Sequence, residues 1–344
     1  MDKIVLGRTG LEVSRVGFGC IPIMRLEKKE AVALLHYAYE HGVTLFDTAN
    51  AYADSEEKVG EAFHGMRDKV VIATKTAKRD AAGAMEHLEL SLRKLRTDYI
   101  DVYQLHQVSK ESEWEEITGP NGAMEAILKA RDEGKVRHIG FTSHNLNVAI
   151  KIAKTGRFAT VQFPFNFIES DPEKELFPLA REIGMGILAM KPFGGGALDD
   201  GKLALKFILQ SKGVVPLPGF DATWQVDQAI STLQENPGEI TGEELAAMER
   251  YREELGKEFC RRCEYCQPCP QGVEITSAMQ YELVSRKMPL ETLLSFSGPA
   301  METVQNCIEC GTCIERCPYS LSIPQVIKRN YDLYKRHLEE AKRK

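Results

Sequence analysis

The sequence predicts an α/β protein: a (β/α)8 barrel over about three quarters of its 344 residues, then a small cysteine-rich module. Three observations carry this. Short apolar runs alternate with longer amphipathic stretches, and eight such runs precede residue 256. No GxGxxG follows the first run, which leaves a doubly wound sheet as the runner-up. Eight of the nine cysteines lie in the last quarter, in two tight groups.

The chain opens with Lys3–Leu6, a Gly7-Arg8-Thr9-Gly10 turn and Glu12–Ser14. That is a small β-hairpin, expected to plug the bottom of the barrel in a structural role. The candidate barrel strands are Arg15–Cys20, Thr44–Thr48, Val70–Lys75, Tyr99–His106, Arg137–Thr142, Thr160–Asn166, Gly186–Lys191 and Val214–Gly219. Between them, Glu30–His41 carries Ala31, Leu34, Leu35, Ala38 and Tyr39 at helical spacing. Ala84–Leu95, Leu203–Gln210 and Trp224–Leu233 repeat the pattern. A further helix, Thr241–Gly256, starts on Thr241 as N-cap with Glu244 at the capping-box position. The barrel domain is thus assigned residues 1–256 and the second domain 257–344, where the charged stretch Lys328–Lys344 reads as a solvated helix.

At 43% hydrophobic and 27% charged, the composition is that of a globular protein with a sizeable core. A formal net charge of -6 argues against general nucleic-acid binding. No apolar run approaches the roughly 18 residues that span a bilayer, so no membrane partner is expected. No charged-then-apolar leader opens the sequence, which makes a reducing cytoplasm the expected location.

Residues at the C-terminal ends of barrel strands face the active site. Those ends are Asp47, Lys75, His106, Thr142 with Ser143, Gln162, Met190 with Lys191, and Gly219; Tyr52 follows Asp47 in the loop above. Tyr52, Lys75, Asp47 and His106 form a proton-handling set. A phenol alone is a poor acid at neutral pH, because its pKa is about 10. A nearby ammonium lowers that value, a carboxylate holds the ammonium, and an imidazole orients a carbonyl oxygen. Taken singly, each residue has a blander reading as an ion pair, a core histidine or surface packing. Four at the strand ends of one barrel point to protonation of an oxygen as charge develops on it. Cys20, at the end of a buried strand, reads as packing. Ile21, Pro22, Met24 and Trp114 are expected at a partly apolar pocket mouth, with Trp114 alternatively an anchor for its own loop.

The first cysteine run is Cys260, Cys263, Cys266, Cys269 with Pro270; the second is Cys307, Cys310, Cys313, Cys317 with Pro318. Two-residue gaps ending in a cysteine before proline match the run that holds [4Fe–4S] clusters. A cubane needs four converging thiolates, and a short loop wraps three of them. In two-cluster ferredoxins the fourth crosses to the other cluster. The second run has the usual gaps; the first is one residue short. Structural zinc and disulfides are the competing readings, but zinc knuckles are usually well separated and a large barrel needs no staples. Two [4Fe–4S] clusters are therefore expected in a ferredoxin-like iron–sulfur domain. Three roles stay open for them: a structural staple, an electron relay to an external redox protein, or a redox sensor.

The first 256 residues resemble the aldo-keto reductase family. The resemblance rests on Gly7-Arg8-Thr9-Gly10-Leu11-Glu12-Val13-Ser14, Phe46-Asp47-Thr48-Ala49 with Tyr52 and Ser55-Glu56, Thr74-Lys75, Leu105-His106, and Ile139-Gly140-Phe141-Thr142-Ser143. With the cysteines, the whole chain is similar to the ferredoxin-fused branch of that family. The resemblance implies a TIM barrel and a catalytic tetrad of Asp47, Tyr52, Lys75 and His106, with Tyr52 the general acid for reduction of a small-molecule carbonyl. It implies an NADP(H) or NAD(H) cofactor across the barrel top, its carboxamide held by Thr142, Ser143 and Gln162. Met190 aligns with the aromatic that usually stacks on the nicotinamide. Lys191 and Pro192 lead to Phe193-Gly194, where the backbone would approach the pyrophosphate. Relatives often follow the last strand with a basic residue for the adenosine 2′-phosphate. Here Gly219 is followed by Phe220 and Asp221, which suits a ribose hydroxyl and suggests weaker NADPH discrimination. The alternative is a redox-sensing or electron-transfer subunit that binds the cofactor with little turnover.

Overall fold

A computed structural model describes residues 2–235, 238–256 and 258–343. It has two compact units: Met1–Gly194 with Leu198–Ile240, and Gly195–Ala197 with Thr241–Lys344.

The first unit opens with the antiparallel hairpin β1 (Lys3–Val5) and β2 (Glu12–Ser14). Eight parallel strands follow: β3 (Phe18–Gly19), β4 (Leu45–Asp47), β5 (Val71–Thr76), β6 (Ile100–Leu105), β7 (Val136–Thr142), β8 (Thr160–Pro164), β9 (Gly186–Met190) and β10 (Val214–Leu217). All eight lie inside or within a residue of the segments expected from the sequence. They pair in chain order from β3 to β10. Closure comes from Gly17 N donating to Pro216 O at 2.9 Å and Gly19 N to Pro218 O at 2.7 Å, with a parallel bridge between Gly19 and Gly219. The first and last strands are therefore neighbours, as a barrel requires.

The helices around the strands are α1 (Lys28–Glu40), α2 (Ser55–Phe63), α3 (Ala81–Leu95), α4 (Glu111–Thr118), α5 (Ala123–Asp132), α6 (Leu146–Lys154), α7 (Leu176–Glu182), α8 (Gly201–Leu209) and α9 (Thr223–Gln234). Their apolar stripes bury against the outside of the sheet. In α1 that stripe is Ala31, Leu34, Leu35 and Ala38, all buried. Barrel interiors are filled by strand side chains, and here Leu45, Ala73, Val102, Leu188 and Val215 form a layer. Leu6 and Val13 of the hairpin complete that layer, so the hairpin does plug the barrel. The turn at Gly7 needs glycine twice over: its φ is +52°, and a Cβ would lie 2.2 Å from Gly186 N.

The second unit contains α10 (Gly242–Leu255), α11 (Ile275–Ser285), α12 (Leu290–Glu302), the single turn α13 (Thr312–Glu315) and α14 (Ile323–Arg343). Thr241 caps α10, accepting from Glu244 N, while Glu244 reaches back to Thr241 N at 2.7 Å. Such a cap contributes about 1 kcal/mol. Val273, Ile275, Tyr281, Leu293, Met301 and Ile327 form a core of this unit's own.

Two expectations change. Trp114 lies in α4, only 9% exposed and packed on Phe158 with ring centroids 5.9 Å apart. It belongs to the barrel wall and not to a pocket mouth. The charged C-terminal helix begins earlier, at Ile323, and is not wholly solvated. Asn330 and Tyr334 are buried, and Asn330 Nδ2 donates to Ala278 O at 2.8 Å. The residue types are polar there, but one helical face carries the contacts.

Candidate active site

The four proton-handling residues converge at the C-terminal end of the barrel. Asp47 ends β4, and Lys75 lies one strand over in β5. Lys75 Nζ is 2.7 Å from Asp47 Oδ2 and donates to Thr48 O at 2.7 Å. Both side chains are almost wholly buried, at 1% and 5% exposure. A buried carboxylate needs its lone pairs satisfied. Gln162 Nε2 donates to Asp47 Oδ2 at 3.1 Å, Gln104 Nε2 to Asp47 Oδ1 at 3.3 Å, and Gln104 Nε2 also to Gln162 Oε1 at 3.0 Å. Gln104 had no place in the sequence reading; its signal is position alone, in β6 two residues before His106.

Tyr52 stands above this pair. The Lys75 ammonium lies 5.1 Å from the centre of its ring, and the His106 ring meets it edge-on at 5.8 Å and 79°. The loop that carries Tyr52 is tied down at the start of α2. Ser55 Oγ donates to Cys20 O at 3.0 Å and lies 2.9 Å from Thr48 Oγ1, while Thr74 Oγ1 donates to Glu56 Oε1 at 2.6 Å. The Ser55-Glu56 pair of the motif therefore fastens the phenol's loop to β4 and β5.

Electrostatics separate the roles. Burial pushes the Tyr52 phenol above its ordinary value, and the pull of Lys75 in the other direction does not overcome it. The ammonium alone would have lowered that value, as the sequence suggested, but desolvation wins. The phenol is thus held protonated. Burial draws Lys75 down, yet the Asp47 carboxylate and its hydrogen bond hold it above the usual lysine value. His106 sits well below the ordinary histidine value, through burial first and then the cations Lys75, Arg79 and Lys191. It is neutral near pH 7. Arg79, absent from the sequence reading, clamps its backbone: Nη1 donates to His106 O at 2.9 Å and Nη2 to Gln107 O at 3.2 Å. Glu113 anchors Arg79 at 2.9 Å.

Cys20 is fully buried beside this site, its thiol pushed well up by burial and then by Asp47. Its Sγ faces Phe18 O at 3.6 Å, in keeping with a packed thiol.

The residues expected around a cofactor occupy the same rim, with differing commitments. Thr142 Oγ1 accepts from Gln107 N at 2.7 Å and keeps its own O–H to donate. Ser143 Oγ is drawn into the turn before α6, donating to Asn145 O and accepting from Asn145 N, both at 3.1 Å. Gln162 is engaged at both ends of its amide with Asp47 and Gln104. Met190 ends β9, and the chain turns at once through Lys191 (φ +56°), Pro192 and Phe193 to Gly194 (φ +57°). Asn166 Nδ2 holds Lys191 O at 3.1 Å. Gly219 approaches Gly19, and Asp221 is paired with Arg25 and with Gln225 Nε2 at 2.8 Å.

In the second unit no two cysteines are joined by a disulfide. The two runs interleave. Cys317 lies close enough to Cys260, Cys263 and Cys266 to raise their thiols electrostatically, after burial. Cys269 bears in the same way on Cys313, which also faces Cys307. A cavity between the runs is lined by Cys266, Cys269, Cys307, Cys310 and Cys313, with Val273 and Ile327 among its apolar residues. The chemistry of several thiols gathered round one cavity suits an iron–sulfur cluster.

Comparison with known proteins agrees with both halves. The C-terminal residues 259–321 match the 4Fe-4S dicluster domain. An uncharacterized oxidoreductase of Bacillus subtilis, YrpG, is 34% identical in an alignment of 236 residues that covers 60% of this chain and 70% of that one. A probable aldo-keto reductase 1 of Glycine max is 30% identical over 241 residues, 64% of this chain and 68% of the other. Among solved structures, a holo aldo-keto reductase of Bacillus halodurans superposes with a TM-score of 0.64 at 26% identity, covering 73% of this chain and 96% of its own. An aldo-keto reductase of Klebsiella pneumoniae in complex with NADPH gives a TM-score of 0.61 at 26% identity, covering 73% and 95%. The Aldo/keto reductase family profile matches residues 4–203, which is more than half of the chain and includes Asp47, Tyr52, Lys75 and His106; this protein belongs to the aldo/keto reductase family.

Proposed function

We propose that this oxidoreductase reduces the carbonyl of a small aldehyde or ketone with NAD(P)H, and runs the reverse reaction on the alcohol. The observation that carries it is the chain of contacts from Asp47 through Lys75 to Tyr52, with a neutral imidazole facing the phenol. When bound, a reduced nicotinamide supplies hydride to the carbonyl carbon. Everything else falls to the protein. His106, uncharged, donates a hydrogen bond that sets the carbonyl oxygen beside Tyr52. Tyr52, held protonated, gives its proton to that oxygen as negative charge builds there. The Lys75 ammonium stabilises the phenolate left behind, and Asp47 keeps the ammonium charged and in place until solvent restores the proton.

Thr142, Ser143 and Gln162 would hold the carboxamide, and Met190, Lys191 to Gly194, Gly219 and Asp221 would line the rest of the cofactor site. Of the first three, the Thr142 hydroxyl is best disposed to donate, since Gln162 and Ser143 are occupied elsewhere. The NADPH complex of the Klebsiella pneumoniae protein supports NADP(H) as the cofactor.

Residues 257–344 act as the iron–sulfur domain. Two [4Fe–4S] clusters fit the cysteines, one on Cys260, Cys263, Cys266 and Cys317, the other on Cys307, Cys310, Cys313 and Cys269. Their four-thiol groupings follow the interleaving of the runs. They pass electrons to an external redox protein or brace the unit, and the protein works in a reducing cytoplasm.

The test is anaerobic purification followed by NADH and NADPH oxidation with a panel of carbonyls. Tyr52→Phe should lower kcat/KM by about 10²–10⁴ while leaving nucleotide affinity unchanged. Nucleotide binding with no turnover on any carbonyl in the wild type would favour the sensor reading instead.

A further inference from the structure

Phosphate groups in (β/α)8 barrels commonly sit against the loops after the seventh and eighth strands. Here β9 and β10 are those strands, and the loop after β10 carries Asp221. A carboxylate alone would repel a phosphate. The structure brings a guanidinium onto it from the opposite end of the barrel sequence. Arg25 Nη2 pairs with Asp221 Oδ2 across 196 positions.

The arrangement is built. Arg25 closes a short helical turn, Pro22–Arg25, after β3. Lys58, only 2% exposed, donates to Ile23 O at 3.0 Å and Leu26 O at 2.8 Å, fastening the turn on both sides of Arg25. Pro22 packs on Gly219 so closely that a Cβ there would come within 2.7 Å of it. On the other side, Gln225 Oε1 accepts from Asp221 N at 2.8 Å, and Gln225 Nε2 donates to Asp221 Oδ1 at 2.8 Å. The cation is anchored yet 35% exposed, beside an acid that is 28% exposed. A guanidinium presents five donors in a planar fork, so it can hold a carboxylate and a phosphate together.

We propose that Arg25 is the phosphate-gripping residue of the nucleotide site, delivered by the Lys58-fastened turn to a rim whose own loop supplies only an acid. This rests on the nucleotide-binding reading above and deepens it. The ligand chemistry is a phosphoryl group of the dinucleotide, either the pyrophosphate or an adenosine 2′-phosphate.

The experiment titrates NADH and NADPH into the full-length, cluster-loaded protein, following nucleotide fluorescence. Wild type, Arg25→Gln and Asp221→Asn are compared, with thermal melts as a folding control. Arg25→Gln should weaken binding about tenfold or more, the loss of one charge-assisted contact. Loss for NADPH alone identifies the 2′-phosphate, and equal loss for both nucleotides identifies the pyrophosphate. Asp221→Asn breaks the same ion pair but keeps the cation, so its loss of affinity should be smaller than that of Arg25→Gln. Unchanged binding in Arg25→Gln overturns the proposal, and so does an equal loss in both variants, because the pair and not the cation would then matter. Wild-type protein that binds neither nucleotide would remove the nucleotide reading itself, a distinct failure visible before any variant is made.

Discussion

Asp47→Asn tests the buried pair directly. Lys75 Nζ lies 2.7 Å from Asp47 Oδ2, and both side chains are nearly sealed from water. Removing one partner of a buried ion pair costs about 3–5 kcal/mol, because the remaining charge is left uncompensated. The replacement amide adds to this. Both Asp47 oxygens receive donors, Gln104 on one and Gln162 with Lys75 on the other, so its NH2 meets a donor whichever way it turns. Both tryptophans, Trp114 and Trp224, lie in the barrel unit, so their fluorescence during denaturant unfolding reports that unit. The expected result near pH 7 is a loss of about 3–5 kcal/mol at an unchanged m-value.

The alkaline limb gives the sign. Folding holds Lys75 above its ordinary value. Its stabilisation is therefore present below the ordinary lysine value of about 10.4 and lost as pH rises through the folded one. In the variant, burial acts on Lys75 without Asp47 to oppose it, so its folded value falls below the ordinary one. That contribution then grows with rising pH. The gap between wild type and variant should narrow as pH climbs from 8 to 11. A variant within about 1 kcal/mol of wild type, with a pH-independent gap, would show that Lys75 carries no buried charge and would undo the account of how Tyr52 is served.

Two other outcomes are expected. His106 is held well below the ordinary histidine value, so the unfolded chain binds its proton first as pH falls. Relative to His106→Asn, the wild-type barrel should lose stability as pH drops below about 6.5, by at most about 1.4 kcal/mol per pH unit; fluorescence-monitored unfolding from pH 7 to 5 measures it, and parallel curves would refute the neutral imidazole. Cys317→Ser, a change in the second cysteine run, should strip the cluster carried by the first run, removing about half the bound iron and one of two paramagnetic signals after reduction. Disturbance of the signal shared with Cys310→Ser would instead tie Cys317 to its own run.

Much of this was legible in the linear chain. Strand segments announce themselves as short apolar runs, and the hairpin by its Gly-rich turn, because both depend on neighbours a few residues apart. Asp47, Lys75 and His106 could be found because the ends of barrel strands share one face, whatever the loops do. Tyr52 was within reach because Ser55 and Glu56 behind it tie its loop to the strands. The cysteine runs stand out because a cluster is wrapped by local spacing. Trp114 and the helix from Ile323 were misjudged for a related reason: loop-like and charged surroundings hide which face a residue turns inward.

What the sequence settled by itself was the alternation of strands and helices, the strand-end residues and the two sets of thiols, all of them written in short-range pattern. What only the tertiary structure decided were meetings across long separations. Barrel closure sets β3 beside β10, and with it Arg25 beside Asp221; the non-adjacent strands β6 and β8 bring Gln104 and Gln162 onto Asp47 of β4. Even the direction in which Tyr52 titrates waited on the fold, because desolvation depends on everything packed around a group, and no spacing along the chain encodes that.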